Sequence, residues 1–116
     1  MQGGPNWANN VVDAPIIANA SSGEVFYKQP MFYYLGHFSK FLKPGAQRIG
    51  MKSTGVPIVS SPMEATAFII DDGARIAVVV LNRDISSHKF TIHYPTRGYI
   101  QQSIPAHAIQ TVIFAA

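Results

Sequence analysis

The sequence predicts a mainly β protein: an antiparallel β-sandwich led by a single amphipathic helix. Three observations carry this expectation. From Met63 onward, apolar runs recur at short, regular spacing, punctuated by Asp, Pro and Gly, the pattern of an antiparallel sandwich. One run, Ala74 to Asn82 (ARIAVVVLN), is almost continuously apolar, as in a central strand covered on both faces. Only one stretch, Pro30 to Leu42, carries a helical period.

The totals bound the answer. The chain has 116 residues, 47% hydrophobic and 13% charged, which suits one small globular domain. No apolar run is long enough to span a bilayer, and the start reads as a turn-rich loop, not a signal peptide. A buried aromatic such as Trp7 so close to the start suggests a chain that begins inside a domain. There is no Cys, hence no disulfide framework, thiolate metal site or Cys nucleophile, and this leaves the compartment open. The net charge of +3 comes from scattered basic residues. Nucleic-acid binding calls for clustered Lys and Arg with interleaved aromatics, so no nucleic-acid partner is expected.

In chain order, Gly3 to Asp13 (GGPNWANNVVD) is an irregular loop of turn formers. Trp7 within it is either a core anchor or a stacking platform, burial being the commoner fate of tryptophan. Asn6, Asn9 and Asn10 are turn formers first and ligand-binding amides second. Ala14 to Ala18 is a brief strand. Asn19-Ala20-Ser21 is an N-x-S sequon in a surface loop. Pro30 fits the first helical position, where its missing N–H costs nothing. Met31, Tyr34, Leu35, Phe38, Phe41 and Leu42 then form one stripe, opposite Tyr33, His37 and Lys40. Lys43-Pro44-Gly45 ends the helix. Its aromatic face needs a large apolar partner, and where the strands do not supply one the face is expected to stay exposed.

Gln47 to Ser53 opens a strand-like series, and Met51 to Pro62 is a loop by its Gly and Pro content. Met63 to Ile70 and Ala74 to Asn82 flank Asp71-Asp72-Gly73, a hairpin signal. His88 to Tyr94 alternates, with Phe90, Ile92 and Tyr94 on one face and Lys89, Thr91 and His93 on the other. Tyr99 to Ile104 and Ala108 to Phe114 complete about six strands, a count read from the spacing. The division expected is 1–45 and 46–116.

The chemistry is sparse. A typical glycosidase needs two carboxyl groups about 5–10 Å apart. Among Asp13, Glu24, Glu64, Asp71, Asp72 and Asp84 no pair convinces: the Asp71-Asp72 pair sits in a turn, and Glu64 and Asp84 lie at strand ends where they are expected to be solvated. The four histidines lack metal-ligand spacing. Ser86-Ser87-His88 is no nucleophile elbow, and no glycine pattern cradles phosphate. Neither metal nor cofactor is called for. By composition and spacing alone, the chain has no self-contained catalytic site.

GGPNW at Gly3 to Trp7, FYKQPMFYYLGHFSKF at Phe26 to Phe41, QRIG at Gln47 to Gly50, VVVLNR at Val78 to Arg83 and the closing IPAHAIQTVIF resemble the carboxy-terminal part of the glucosylceramidases of glycoside hydrolase family 30. The likeness runs along the whole chain, and several motifs in fixed order are far more specific than any one. The resemblance implies a β-sandwich preceded by the last loop and helix of a truncated (β/α)₈ barrel. Gly3 to Asp13 would be the loop after the eighth strand, on the face where such barrels keep their active sites. The helix stripe would then pack on the rest of the barrel.

The resemblance further implies retaining hydrolysis of the membrane lipid glucosylceramide by two glutamates that have no counterpart here. It places Asn10 at the pocket entrance, Trp7 and Asp13 as supports of that loop, and Asn19 as a glycosylation site on the secretory route to the lysosome. It implies an anionic lipid surface and an activator protein as partners. The sequence departs from the family pattern at Ala8-Asn9 and Val11, where a branched apolar, a basic and an aromatic residue are usual, so the entrance differs in shape or lipid contact. Met51 to Pro62 is also longer than usual, which suggests an invertebrate relative or a divergent paralogue. Two other readings remain open. One is a non-catalytic carbohydrate- or lipid-binding sandwich using Trp7, Tyr27 and Tyr99 as stacking surfaces. The other is a family 30 hydrolase of another β-glycoside.

Overall fold

The computed structural model describes residues 13–18, 21, 23, 25–55 and 62–116. The chain divides into two compact units, Met1–Lys40 and Phe41–Ala116.

In the first unit, β1 (Ile16–Ala18) pairs antiparallel with β2 (Phe26–Lys28), Ile17 opposite Tyr27. The strand at Phe26–Lys28 is absent from the sequence reading, because three residues are too few to show a period. α1 (Pro30–Ser39) starts at the expected proline. Gln29 before it is extended at φ −81°, ψ 161°, as the steric demand of the following ring dictates. The helix ends earlier than its periodicity suggests. Lys40 is the C-cap and donates its N–H to the Gly36 carbonyl at 3.0 Å, so Phe41 and Leu42 fall beyond the helical stripe. A turn follows, in which the Lys43 carbonyl accepts the Ala46 N–H at 3.0 Å and Gly45 stands at φ 97°. The aromatic face is left open, as expected of a stripe whose apolar partner these strands do not supply. No residue of α1 is buried, and Tyr34, Leu35 and Phe38 are exposed, Leu35 at 56%.

The second unit contains β3 (Gln47–Ile49), β4 (Met63–Ile70), β5 (Arg75–Asn82), β6 (His88–Tyr94), β7 (Gly98–Ile104) and β8 (Ala108–Ala115). Four strands form one antiparallel sheet in the order β3-β4-β5-β8, and β6 and β7 form a separate hairpin. β3 stops at Ile49, short of the Ser53 limit expected. β4 and β5 pair along their full length, from Met63 opposite Asn82 to Ile70 opposite Arg75. The turn between them holds Asp71, Asp72 and Gly73 at φ 52°, 53° and 96°. Left-handed backbone is open to Gly and tolerated by Asp, which is why Asp-Asp-Gly closes this hairpin.

β5 is the centre. Ile76 through Val80 are all buried, the both-face burial that its unbroken apolar run predicts. Ala67, Ile76, Val78, Val80 and Ile104 form the core, with Phe90, Ile92, Tyr94 and Phe114 packed against it. The alternation of β6 is thus resolved. Its Phe, Ile and Tyr face the four-stranded sheet, while Lys89, Thr91 and His93 are exposed. This is a mainly antiparallel sandwich, closed by one hairpin. Among the described residues no helix is long and apolar enough to cross a membrane.

Candidate functional site

Of the residues singled out from sequence, Trp7, Asn10 and Asn19 lie outside the described residues. Asp13 is described. Its carboxylate accepts a hydrogen bond from the Gln29 side-chain amide, while the Gln29 backbone N–H donates to the Pro15 carbonyl at 2.9 Å. Gln29 thereby ties the segment before β1 to the first turn of α1, where Phe32 N–H donates to the Gln29 carbonyl at 2.9 Å. Sequence order separates these groups by sixteen positions. The β1–β2 ladder is what brings them together.

The same unit displays aromatic surface. Phe26, Tyr27 and Tyr33 are exposed, Phe26 at 58%. Lys28 shares the β2 face of Phe26 by strand alternation, and its ammonium lies 5.0 Å from the Phe32 ring centroid and 5.9 Å from that of Phe26. A cation over two rings is a modest attraction at an exposed site.

In the second unit the best-organised polar cluster is one that the sequence reading passed over. Asn82, at the end of β5, is fully buried at 0% exposure. Its Nδ2 donates to the Ser86 and Pro105 carbonyls, each at 2.8 Å, and its Oδ1 accepts from the Asp84 N–H at 3.0 Å. Asp84 continues the network. One carboxylate oxygen accepts from the Ile85 N–H and the other meets His88 Nε2, both at 2.7 Å. The Asp84 carbonyl accepts from the His107 N–H at 3.1 Å. The β5–β6 loop and the β7–β8 turn are thus held to each other. The His88 hydrogen bond, then the Ile85 N–H, hold the Asp84 carboxyl below its usual range. Asp84 is therefore bonded, not simply solvated as its strand-end position suggests. The available signal was Asn-x-Asp at a strand end, the spacing of an Asx turn.

Two further described acids form ion pairs, while Asp72 lies in the β4–β5 turn itself. Glu64 pairs with Arg83 at 2.6 Å and Asp71 with Arg75. Among the described residues no three His, Asp or Glu side chains gather as metal ligands. Two hollows of about 180 and 360 Å³ lie beside the β4–β5 turn; the larger, lined by Gly45, Gln47, Ile69, Asp72 and Gly73, lacks the hydrophobic and aromatic walls typical of a ligand pocket. What the arrangement does chemically is hold strand ends in place.

Fold and site together define a sandwich protein whose described carboxylates serve the scaffold. The family model of the glycosyl hydrolase family 30 β-sandwich domain matches residues 45–112, and that of the family's TIM-barrel domain matches residues 1–42. The chain belongs to glycosyl hydrolase family 30. It is 42% identical over 113 residues to lysosomal acid glucosylceramidase of Mus musculus, covering 97% of this chain and 21% of that protein. It is 48% identical over 113 residues to putative glucosylceramidase 3 of Caenorhabditis elegans, with 97% and 20% covered. The chain thus spans about a fifth of the curated relatives it matches. Among solved structures, SrfJ from Salmonella typhimurium superposes with a TM-score of 0.81 at 26% identity, over 97% of this chain and 24% of that one. An endo-β1,6-glucanase gives 0.80 at 22%, over 98% and 24%, a likeness of fold.

Proposed function

We infer that this chain is the carboxy-terminal portion of a retaining β-glucosidase that hydrolyses glucosylceramide, and that it works together with the remainder of a (β/α)₈ barrel. The observation that carries the reading is the order of the two matches, barrel at 1–42 and sandwich at 45–112, on one chain alike throughout to a glucosylceramidase. A whole barrel takes about 250 residues, far more than the 42 matched. Retaining hydrolysis needs two carboxyl groups about 5–5.5 Å apart. Here Glu64, Asp71 and Asp84 are each held by a basic neighbour, so the acid/base and nucleophile are assigned to the rest of the barrel.

In this reading residues 1–45 close the barrel and 46–116 form the supporting sandwich. Asn10 lines the pocket entrance, with Trp7 and Asp13 holding its loop. The Asp13–Gln29 hydrogen bond supports that role, since it anchors the end of the loop to α1. The protein reaches the lysosome by the secretory route with Asn19 glycosylated, and acts at an anionic lipid surface with an activator protein.

The test is a chimaera. The corresponding last fifth of the mouse enzyme is replaced by this chain, and glucosylceramide hydrolysis is measured on phosphatidylserine-containing vesicles with and without activator. Turnover that falls when Asn10→Ala is introduced is the expected result. A folded, secreted chimaera without β-glucosidase activity refutes the reading, as does turnover of a fluorogenic β-glucoside by the 116-residue chain alone.

A further inference from the structure

The outward face of the β6–β7 hairpin carries side chains that the scaffold does not use. The inward face already supplies the core contacts through Phe90, Ile92, Tyr94 and Ile104. Outward, the register sets His93 opposite Tyr99, Thr91 opposite Gln101 and Lys89 opposite Ser103. All six are exposed. The His93 and Tyr99 rings are stacked, with centroids 4.4 Å apart and planes 15° from parallel, yet Tyr99 remains 71% exposed. One ring face is therefore backed by an imidazole and the other is open. Charge on this part of the chain has a single sign. From Ile85 to Ala116 there is no Asp or Glu, while Lys89 and Arg97 are present.

We propose that the stacked His93–Tyr99 pair, with Lys89 at the other end of the same face, is a binding site for an acidic oligosaccharide. The open Tyr99 face offers apolar stacking for the C–H surface of a pyranose ring, an amphipathic ring contact of the kind tyrosine favours. Thr91, Gln101 and Ser103 offer neutral donors and acceptors to hydroxyls. Lys89 stands four residues along the strand from His93, about 14 Å at the strand rise of roughly 3.4 Å per residue, and supplies the cation for a carboxylate or sulfate. The absence of carboxylates on the hairpin favours an anionic glycan over a neutral one. The site is independent of the proposed glucosylceramide chemistry, because none of its residues belongs to the barrel-matched part.

The test is calorimetric titration of the purified chain with a heparin-derived tetrasaccharide, with neutral cellotetraose as comparison. Tyr99→Ala is expected to weaken the tetrasaccharide about tenfold, the scale of one aromatic contact, and Tyr99→Phe to restore it. Lys89→Gln is expected to weaken it about threefold, as for one exposed charge, and Lys52→Gln to leave it unchanged. Cellotetraose is expected to bind at least about tenfold more weakly than the tetrasaccharide. Unchanged affinity in Tyr99→Ala shows general electrostatic attraction and overturns the proposal, as does unchanged affinity in Lys89→Gln. Equal affinity for cellotetraose overturns the acidic assignment. Binding to phosphatidylserine vesicles without binding to the tetrasaccharide makes the face a lipid contact and overturns it as well. Far-UV spectra of each variant, expected to superpose because the substituted positions are exposed, confirm that affinity and not folding is being read.

Discussion

Asn82→Ala tests whether the buried amide holds the end of the sandwich. Asn82 has no solvent exposure, and its side chain makes three hydrogen bonds, donating to the Ser86 and Pro105 carbonyls and accepting from the Asp84 N–H. Each contributes about 1 kcal/mol net, so the truncation costs about 3 kcal/mol if water reaches the orphaned partners. The cost rises toward about 5 kcal/mol if the two carbonyls stay dry. A domain is stable by only about 5–15 kcal/mol, so this is a large fraction. Asn82→Asp is a sharper probe. It keeps the acceptor for Asp84 N–H but sets a carboxylate oxygen where Nδ2 donated to two carbonyls, and it is expected to cost more than alanine. The assay is urea unfolding by far-UV circular dichroism at low-micromolar concentration, where a lower midpoint at constant slope reports stability. A loss below about 1 kcal/mol in both variants refutes the assignment of Asn82 as the tie.

Three further outcomes are expected. Asp84→Asn lowers the melting temperature at pH 6–7. Because the carboxyl is held below the ordinary aspartate range, the stability it contributes is full above the unperturbed value of about 3.9 and is lost as pH falls through the lower folded value; the gap between variant and wild type therefore closes in acid, and a gap that persists at about pH 2 contradicts the pairing with His88. Ile104→Ala, at a fully buried position of the hairpin, costs about 2–5 kcal/mol by urea unfolding, and a loss under about 1 kcal/mol removes the hairpin from the core. The exposed α1 positions Leu35 and Phe38 make the chain self-associate at high concentration, so Leu35→Lys with Phe38→Lys reduces the sedimenting oligomer, and a monomeric wild-type chain refutes the claim.

The sandwich was legible from sequence wherever a strand was long enough to show its period. Met63–Ile70 and His88–Tyr94 have the bounds read from pattern alone, and the unbroken apolar run of β5 announced its two-sided burial. Short elements were not legible. Phe26–Lys28 is a strand because Ile16–Ala18 lies beside it, a fact of pairing that no three-residue window contains. The end of α1 was not legible because the apolar period continues through Phe41 and Leu42, and a side-chain period does not mark where backbone pairing stops. The polar corner was missed for a different reason. Asn82, Asp84 and His88 are ordinary turn residues in sequence, and their importance arises only when Pro105, twenty-three positions away, is brought to the same amide.

The two units differ in how far each meets its own physical needs. In Phe41–Ala116 the central strand is buried, the buried amide is bonded at three points, and among the described residues no buried side-chain polar atom lacks a partner. In that unit the buried apolar run and the fully bonded amide support one another, the local consistency expected of a well-specified core. In Met1–Lys40 the only described helix has no buried residue, although Met31, Tyr34, Leu35 and Phe38 carry a helical apolar period. Helical stability comes mostly from packing an apolar face, and a ten-residue helix in isolation is marginal. An aromatic stripe in water therefore adds cost without return. This imbalance supports the proposed reading in which residues 1–45 belong to a barrel. It also predicts amide hydrogen exchange in α1 faster than in β5 by orders of magnitude when the chain is alone, with protection of α1 gained in the chimaera. Equal protection of the two elements in the isolated chain would show that the helix needs no further partner, and the barrel reading would lose its physical basis.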